Sequence, residues 1–150
     1  MSKGGSGLFR GTIGAKASAI SLKSKVRETV NKLIDKTPGG KSKAMAVGGY
    51  DKRSGKVVAS FAGEIPKEIH PELLKRAEAI GGIGSHGLTE RNTVGVCAEF
   101  HVVNRLLLNG SKWSDIRLST PIRPRTGAEM PFCANCRKMF SIIAWLNLKV

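Results

Sequence analysis

Two stretches decide the reading of this chain: Cys97-Ala98-Glu99, and Pro131-Phe132-Cys133-Ala134-Asn135-Cys136. Between them they hold all three cysteines of the 150 residues. The pattern is Cys-x-Glu, a gap, then Cys-x-x-Cys. Three thiolates can hold one zinc ion and leave its fourth position open, as a catalytic zinc requires and a closed structural zinc does not. The spacing predicts that Cys97 and Glu99 occupy the first turn of a helix. Cys133 and Cys136 are three apart, so they face the same way at the start of another. Helix N-termini carry partial positive charge, which lowers a thiol pKa and favours the thiolate that binds metal.

Such a site has a defined chemistry. Water at the open position is brought to a pKa of around 7 by zinc. Glu99, which is not a ligand, accepts its proton and can return protons to a ring nitrogen and to departing ammonia. The carbon attacked would be an amidine carbon, C4 of cytosine or C6 of adenine. Three thiolates leave the cluster with a formal charge of −1, which weakens its Lewis acidity. Arg137, next to Cys136, is the nearest cation in sequence that could offset this; an ordinary solvated arginine is the alternative.

One competing arrangement uses the same cysteines. His101 lies four residues after Cys97 on the same helical face, so Cys97, His101, Cys133 and Cys136 could close a Cys₃His structural site. That would make the chain a zinc-stabilised nucleic-acid-binding module without catalysis. A structural knuckle has no use for Glu99, and this favours the open site. His101 is then expected to line or support the pocket, beside Ala98, which sits between ligand and acid. Phe132 precedes Cys133 and either stacks on a base or packs the core. His86 is a candidate substrate contact in the loop before the site. His70, before Pro71, reads as a surface or capping residue, and Trp113 and Trp145 as core.

Outward from the cysteines, apolar periodicity gives the order of elements. Leu22, Val26, Val30 and Leu33 mark a helix over 20–36, stopped by Thr37-Pro38-Gly39-Gly40. Strands over 44–50 and 56–61 flank the polar turn Asp51-Lys52-Arg53-Ser54-Gly55, a β-hairpin. Residues 71–80 read as a short helix, and Gly81–Gly87 as a mobile loop leading into the cysteine helix, 97–108. Residues 115–122 alternate like a strand, with Ile116, Leu118 and Ile122 on its inner side. A helix over 133–140 and a strand over 141–148 complete one α/β domain, 20–150. Residues 1–19 read as a flexible N-terminal leader, as in a domain cut from a larger chain.

Two glycine patterns fail. Gly40-Lys41-Ser42 resembles a phosphate loop, but Asp35 stands where that loop needs glycine. Gly82-Ile83-Gly84-Ser85-His86-Gly87 matches G-x-G-x-x-G, but it follows a helix and lacks a βαβ unit.

Charge is the second strong signal. Lys and Arg total 25 against 11 acidic residues, a formal +14. Up to Arg53 there are twelve basic residues and three acidic ones. Such a balance suits a polyanion through counterion release, and the polymer expected is single-stranded DNA or RNA, since a base must leave its stack to reach a zinc pocket. Lys41, Lys43, Lys52 and Arg53 are the candidate phosphate contacts. A solubilising surface or an acidic protein partner would also account for the charge. No run of about 18 apolar residues is present, so no membrane span is expected. Three cysteines at metal spacing argue against a disulfide framework and for a reducing compartment such as a cytosol.

Val94-Gly95-Val96-Cys97-Ala98-Glu99-Phe100-His101-Val102-Val103-Asn104-Arg105-Leu106-Leu107, with Met130-Pro131-Phe132-Cys133-Ala134-Asn135-Cys136, resembles the cytidine-deaminase-like superfamily. Within it the chain looks most like the YwqJ-like deaminases, toxin domains of bacterial polymorphic toxins. Phe132 stands where the superfamily often has Pro, and Cys97 where many nucleic-acid deaminases have His. The resemblance implies a mixed β-sheet flanked by helices and a zinc-dependent deaminase with Cys97, Cys133 and Cys136 as ligands and Glu99 as acid/base. It implies secretion as part of a larger toxin, action in the cytoplasm of a target cell, and a cognate immunity protein.

Overall fold

The computed structural model describes residues 11–140, with side chains from residue 21. The expected strand over 141–148, with Trp145, and residues 1–10 lie outside the described residues. The elements are α1 (Gly11–Lys36), β1 (Ala46–Asp51), β2 (Val57–Phe61), α2 (Pro71–Glu78), α3 (Ala98–Leu108), β3 (Ile116–Leu118) and α4 (Ala134–Met139). Helix α1 thus starts nine residues before the position its apolar periodicity marks.

The described sheet has strand order β2-β1-β3, and both pairings are antiparallel. A mixed sheet was expected; no parallel pair is present among the described strands. Helices cover both faces, so the chain is α/β in three layers. Val26 and Val30 of α1 pack on one face, with Ala46, Tyr50 and Ala59. On the other face Val47 and Val58 meet Phe100, Val103 and Leu106 of α3, together with Leu73 of α2 and Met139 of α4. Every residue of the central strand β1 is buried.

Glycine makes this sandwich possible. A Cβ at Gly48 would stand 2.6 Å from Val26 Cγ1 and 2.7 Å from Val30 Cγ2. At Gly49 it would stand 2.7 Å from Val102 Cγ1, on the opposite side. The paired glycines let α1 and α3 approach the same strand from opposite faces, which a β-branched pair would hold apart.

Residues 115–122 do not form one strand. Pairing with β1 runs from Asp51↔Ile116 to Gly49↔Leu118 and resumes at Ala46↔Ile122 with one extra residue on the second chain segment. In between, Ser119 takes over. Its N–H donates to Gly48 O (2.8 Å), and its Oγ accepts from Gly48 N–H (2.9 Å). Pro121 has no N–H to give a ladder. The result is a one-residue bulge, and a one-residue slip turns side chains to the other face. Ile116 and Leu118 lie on the α3 side as expected, but Ile122 packs with the α1 cluster.

Beyond the bulge the chain makes a hairpin arm. Arg123 N–H donates to Ala128 O and Met130 N–H to Pro121 O, both at 2.9 Å, and Ile122 pairs with Glu129. Helix α2 starts as expected: Pro71 is in its first turn, and His70 Nδ1 caps it by accepting from Glu72 N–H at 3.1 Å. Trp113 is buried against Phe140, with the Arg76 guanidinium 4.0 Å from its ring centre. No helix among the described residues is long and apolar enough to cross a membrane.

Candidate metal centre and pocket

Cys97 is the N-cap of α3 and Cys133 the N-cap of α4, with Cys136 in the first turn of α4. The two helix starts face each other. The three sulfurs all lie within 4.8 Å of one another, and Cys97 Sγ is 3.9 Å from Cys133 Sγ. A disulfide would need about 2.05 Å, so these are free thiols. Tetrahedral zinc with bonds of about 2.3 Å separates its sulfur ligands by roughly 3.8 Å, so the observed spacing fits one shared ion. Three cysteines placed this way can hold a metal ion, and soft thiolates suit zinc.

The thiols share hydrogen bonds unequally. Cys133 accepts from Cys136 and from Cys97, and the backbone N–H groups of Asn135 and Cys136 add to this, so its pKa is driven far down. Donating to Cys133 holds the Cys97 thiol up, and the same donation with burial holds up Cys136. The three thiols titrate as one cluster, and the hydrogen bonds converging on Cys133 favour its thiolate. A metal must displace the protons of the other two.

Glu99 is buried, 5% exposed. Removal from water pushes its pKa from 4.5 to about 7; the Cys133 charge adds to the rise, while its own backbone N–H and the Cys136 thiol oppose it. The carboxyl is thus poised near neutrality, as a proton carrier needs. Cys97, Ala98, Glu99 and Cys133 together line a cavity of about 260 Å³. Pro121 from the bulge, Pro131, Met45 and Ala62 form further wall, and Asn92 and Thr93 add polar groups. This volume lies just below the usual range for ligand sites, which favours a small ligand over an extended one.

Of the sequence candidates, Cys97, Cys133, Cys136, Glu99 and Ala98 come together. The other three do not line the cavity. His101 is half-buried; its Nε2 lies 3.4 Å from Gly63 O, and its ring nitrogens are not part of the sulfur cluster. Burial lowers its pKa. Phe132 packs against the core on the α3 side. His86 is exposed, and its backbone carbonyl, not its ring, is tied to the site. Arg137 is exposed and is not a wall residue.

The tie to His86 comes from a residue the sequence reading passed over. Asn135, inside the Cys-x-x-Cys turn, is fully buried. Its Oδ1 accepts from Leu88 N–H (2.7 Å), and its Nδ2 donates to His86 O (3.1 Å). The preceding loop is closed on itself by Gly84 N–H to Val94 O and Val94 N–H to Ser85 O. The Gly81–Gly87 segment is therefore held to α4, where a mobile loop was expected. Gly87 is required there: its φ is +59°, and a Cβ would strike Asn135 Oδ1. Asn104 does similar work on α3, accepting from His70 N–H and donating to Glu68 O. A polar residue at a core-facing helical position was the available signal for both asparagines.

No family model, curated protein or solved structure matches this chain.

Proposed function

We propose that this chain is a zinc-dependent nucleobase deaminase, acting most readily on cytosine in a single strand. One observation carries the reading: three thiols converge on one point, and two of them, Cys97 and Cys133, line a single cavity together with the buried, near-neutral carboxyl of Glu99. Cys97, Cys133 and Cys136 would hold the ion, which when bound supplies Lewis acidity that activates water near neutral pH.

The protein's own groups do the rest. Apolar walls of Ala62, Val96, Pro121 and Pro131 would pack against the ring and displace water from it. Glu99 takes a proton from the attacking water and delivers it to ring N3. As the C4–N bond breaks, Glu99 carries the second proton to the amine, which leaves as ammonia. The new C4–O bond becomes the carbonyl of uracil, so one water is consumed per ammonia released.

The helix–hairpin–helix–helix–strand–helix order supports a cytidine-deaminase-like fold. The further reading as a toxin domain, secreted within a larger protein and held by an immunity protein, rests on the motif resemblance and the basic charge. The substrate is tested by incubating the zinc-loaded chain with single- and double-stranded DNA, RNA and free nucleosides, and identifying products by sequencing and mass spectrometry. Uracil in the single strands is expected. No deaminated product from any of them would remove the enzyme reading and leave a zinc-stabilised binding module.

A further inference from the structure

We propose that Lys43, Arg123 and Arg125 form a phosphate-binding track that opens into the cysteine cavity and draws a nucleic-acid strand across it. The inference builds on the deaminase reading for what enters the cavity, and it assigns the polymer contacts to residues of its own.

A second cavity, of about 340 Å³, is lined by Ser42, Lys43, Ala44, Met45, Arg123 and Arg125. Ala44 and Met45 also line the cysteine cavity, so the two spaces share a wall. The hairpin arm joins them a second way. Its base, Pro121 and Pro131, walls the cysteine cavity, while its turn carries Arg123 and Arg125. That turn is fixed in place: Arg123 O accepts from Gly127 N–H at 2.8 Å, and Arg123 N–H donates to Ala128 O. The bulge that reverses Ile122 thus also sets where these arginines stand.

The three cations are available. Lys43, Arg123 and Arg125 are exposed, and the ion pairs among the described residues are Lys32–Glu28 and Arg76–Glu72. The neighbouring carboxylates, Asp35 and Glu129, make no ion pair with them. Lys43 Nζ lies 5.9 Å from the Phe61 ring centre, which adds an aromatic face beside the charge. Cations along a groove with an aromatic at its edge suit a single strand, whose phosphates follow the charge while one base turns aside.

The track also separates useful cations from idle ones. Lys52 and Arg53, which the sequence offered equally, lie in the turn beyond Asp51, at the other end of β1. Five strand steps, about 17 Å, divide them from the cavity mouth. An acidic protein could grip either end; a strand feeding the cavity needs the near one.

The test uses the full zinc-loaded chain carrying Glu99→Ala, so that a bound substrate stays unreacted. Binding of short cytosine-containing DNA and RNA single strands, and of polyglutamate, is followed by fluorescence anisotropy across a salt titration. Replacing Lys43, Arg123 and Arg125 together by Ala should weaken oligonucleotide binding about tenfold or more. The log–log salt slope should fall by about 2, at roughly 0.7 per lost contact on a single strand. Replacing Lys52 and Arg53 by Ala should change affinity less than about twofold. Equal effects from the two sets would overturn the proposal. So would a near set that loses polyglutamate affinity and keeps oligonucleotide affinity, which would assign the track to an acidic protein. Failure here is distinct from failure of the chemistry. A wild-type chain, with Glu99 intact, that binds strands through the track yet never releases ammonia keeps the track and loses the deaminase. One that deaminates nucleosides with no effect at the track does the reverse.

Discussion

Two carboxylates, Asp51 at the end of β1 and Glu99 in the first turn of α3, are each 5% exposed, and their surroundings push them in opposite directions. Asp51 Oδ1 accepts from the N–H groups of Arg53 (2.8 Å) and Ser54 (3.1 Å), and its Oδ2 from Ser111 Oγ (2.7 Å). Burial raises its pKa, but these donors together outweigh burial and bring it below the ordinary value. Glu99 has fewer donors, its own N–H and the Cys136 thiol, and burial prevails over them. An acid whose acceptor positions are filled by its own fold stays ionised and holds a turn together. An acid left under-bonded in a dry site sits near neutrality and can trade protons. The comparison separates structure from chemistry without appeal to either residue's position in the sequence.

The largest expected effect breaks the chemical end outright. Cys133→Ala removes one of the three converging sulfurs, so stoichiometric zinc should be lost on elemental analysis. Metal binding is linked to folding, so the melting temperature should fall further than for any change at the Asp51 end.

Next come the two acids themselves, with opposite signs. Asp51→Ala leaves Ser111 and two backbone N–H groups without their acceptor and should cost about 3 kcal/mol at neutral pH. Because the folded pKa is lowered, the contribution of Asp51 is present at neutral pH and is lost as pH falls through the acid range. Glu99→Gln should instead stabilise the fold. The raised pKa means folding favours the neutral carboxyl: that preference is whole below about pH 4.5 and is lost as pH rises through 7. In the zinc-free chain the variant should gain up to about 3 kcal/mol above pH 7, and little at acid pH. Denaturant unfolding across pH reads both. Matching signs for the two variants at pH above 7 would dissolve the distinction between them.

Much of the chemical end was legible in sequence because thiolate spacing and helix periodicity are local. Cys133 and Cys136 are one turn apart, and Cys97-Ala98-Glu99 opens an apolar helix, so the placement within each motif follows from short-range rules; that the two helix starts meet is a contact across 36 residues, which only the fold shows. The long-range parts were not legible. The bulge at Ser119–Pro121 depends on pairing with Gly48, more than seventy residues earlier in the chain, so Ile122 was placed on the wrong face. Which cations stand by the pocket depends on the same bulge, and this is why Arg123 and Arg125 were passed over for Lys52 and Arg53. Asn135 was hidden by its neighbours: within Cys-x-x-Cys it reads as a spacer, and only the folded loop shows what it binds.

The most direct measurement is ammonia released per bound zinc from a cytosine-containing single strand, for the wild-type chain and for Glu99→Ala. The account predicts stoichiometric zinc in both proteins, turnover by the wild type, and a loss of at least about a hundredfold in the variant. A Glu99→Ala chain that keeps its zinc and deaminates at the wild-type rate would contradict it.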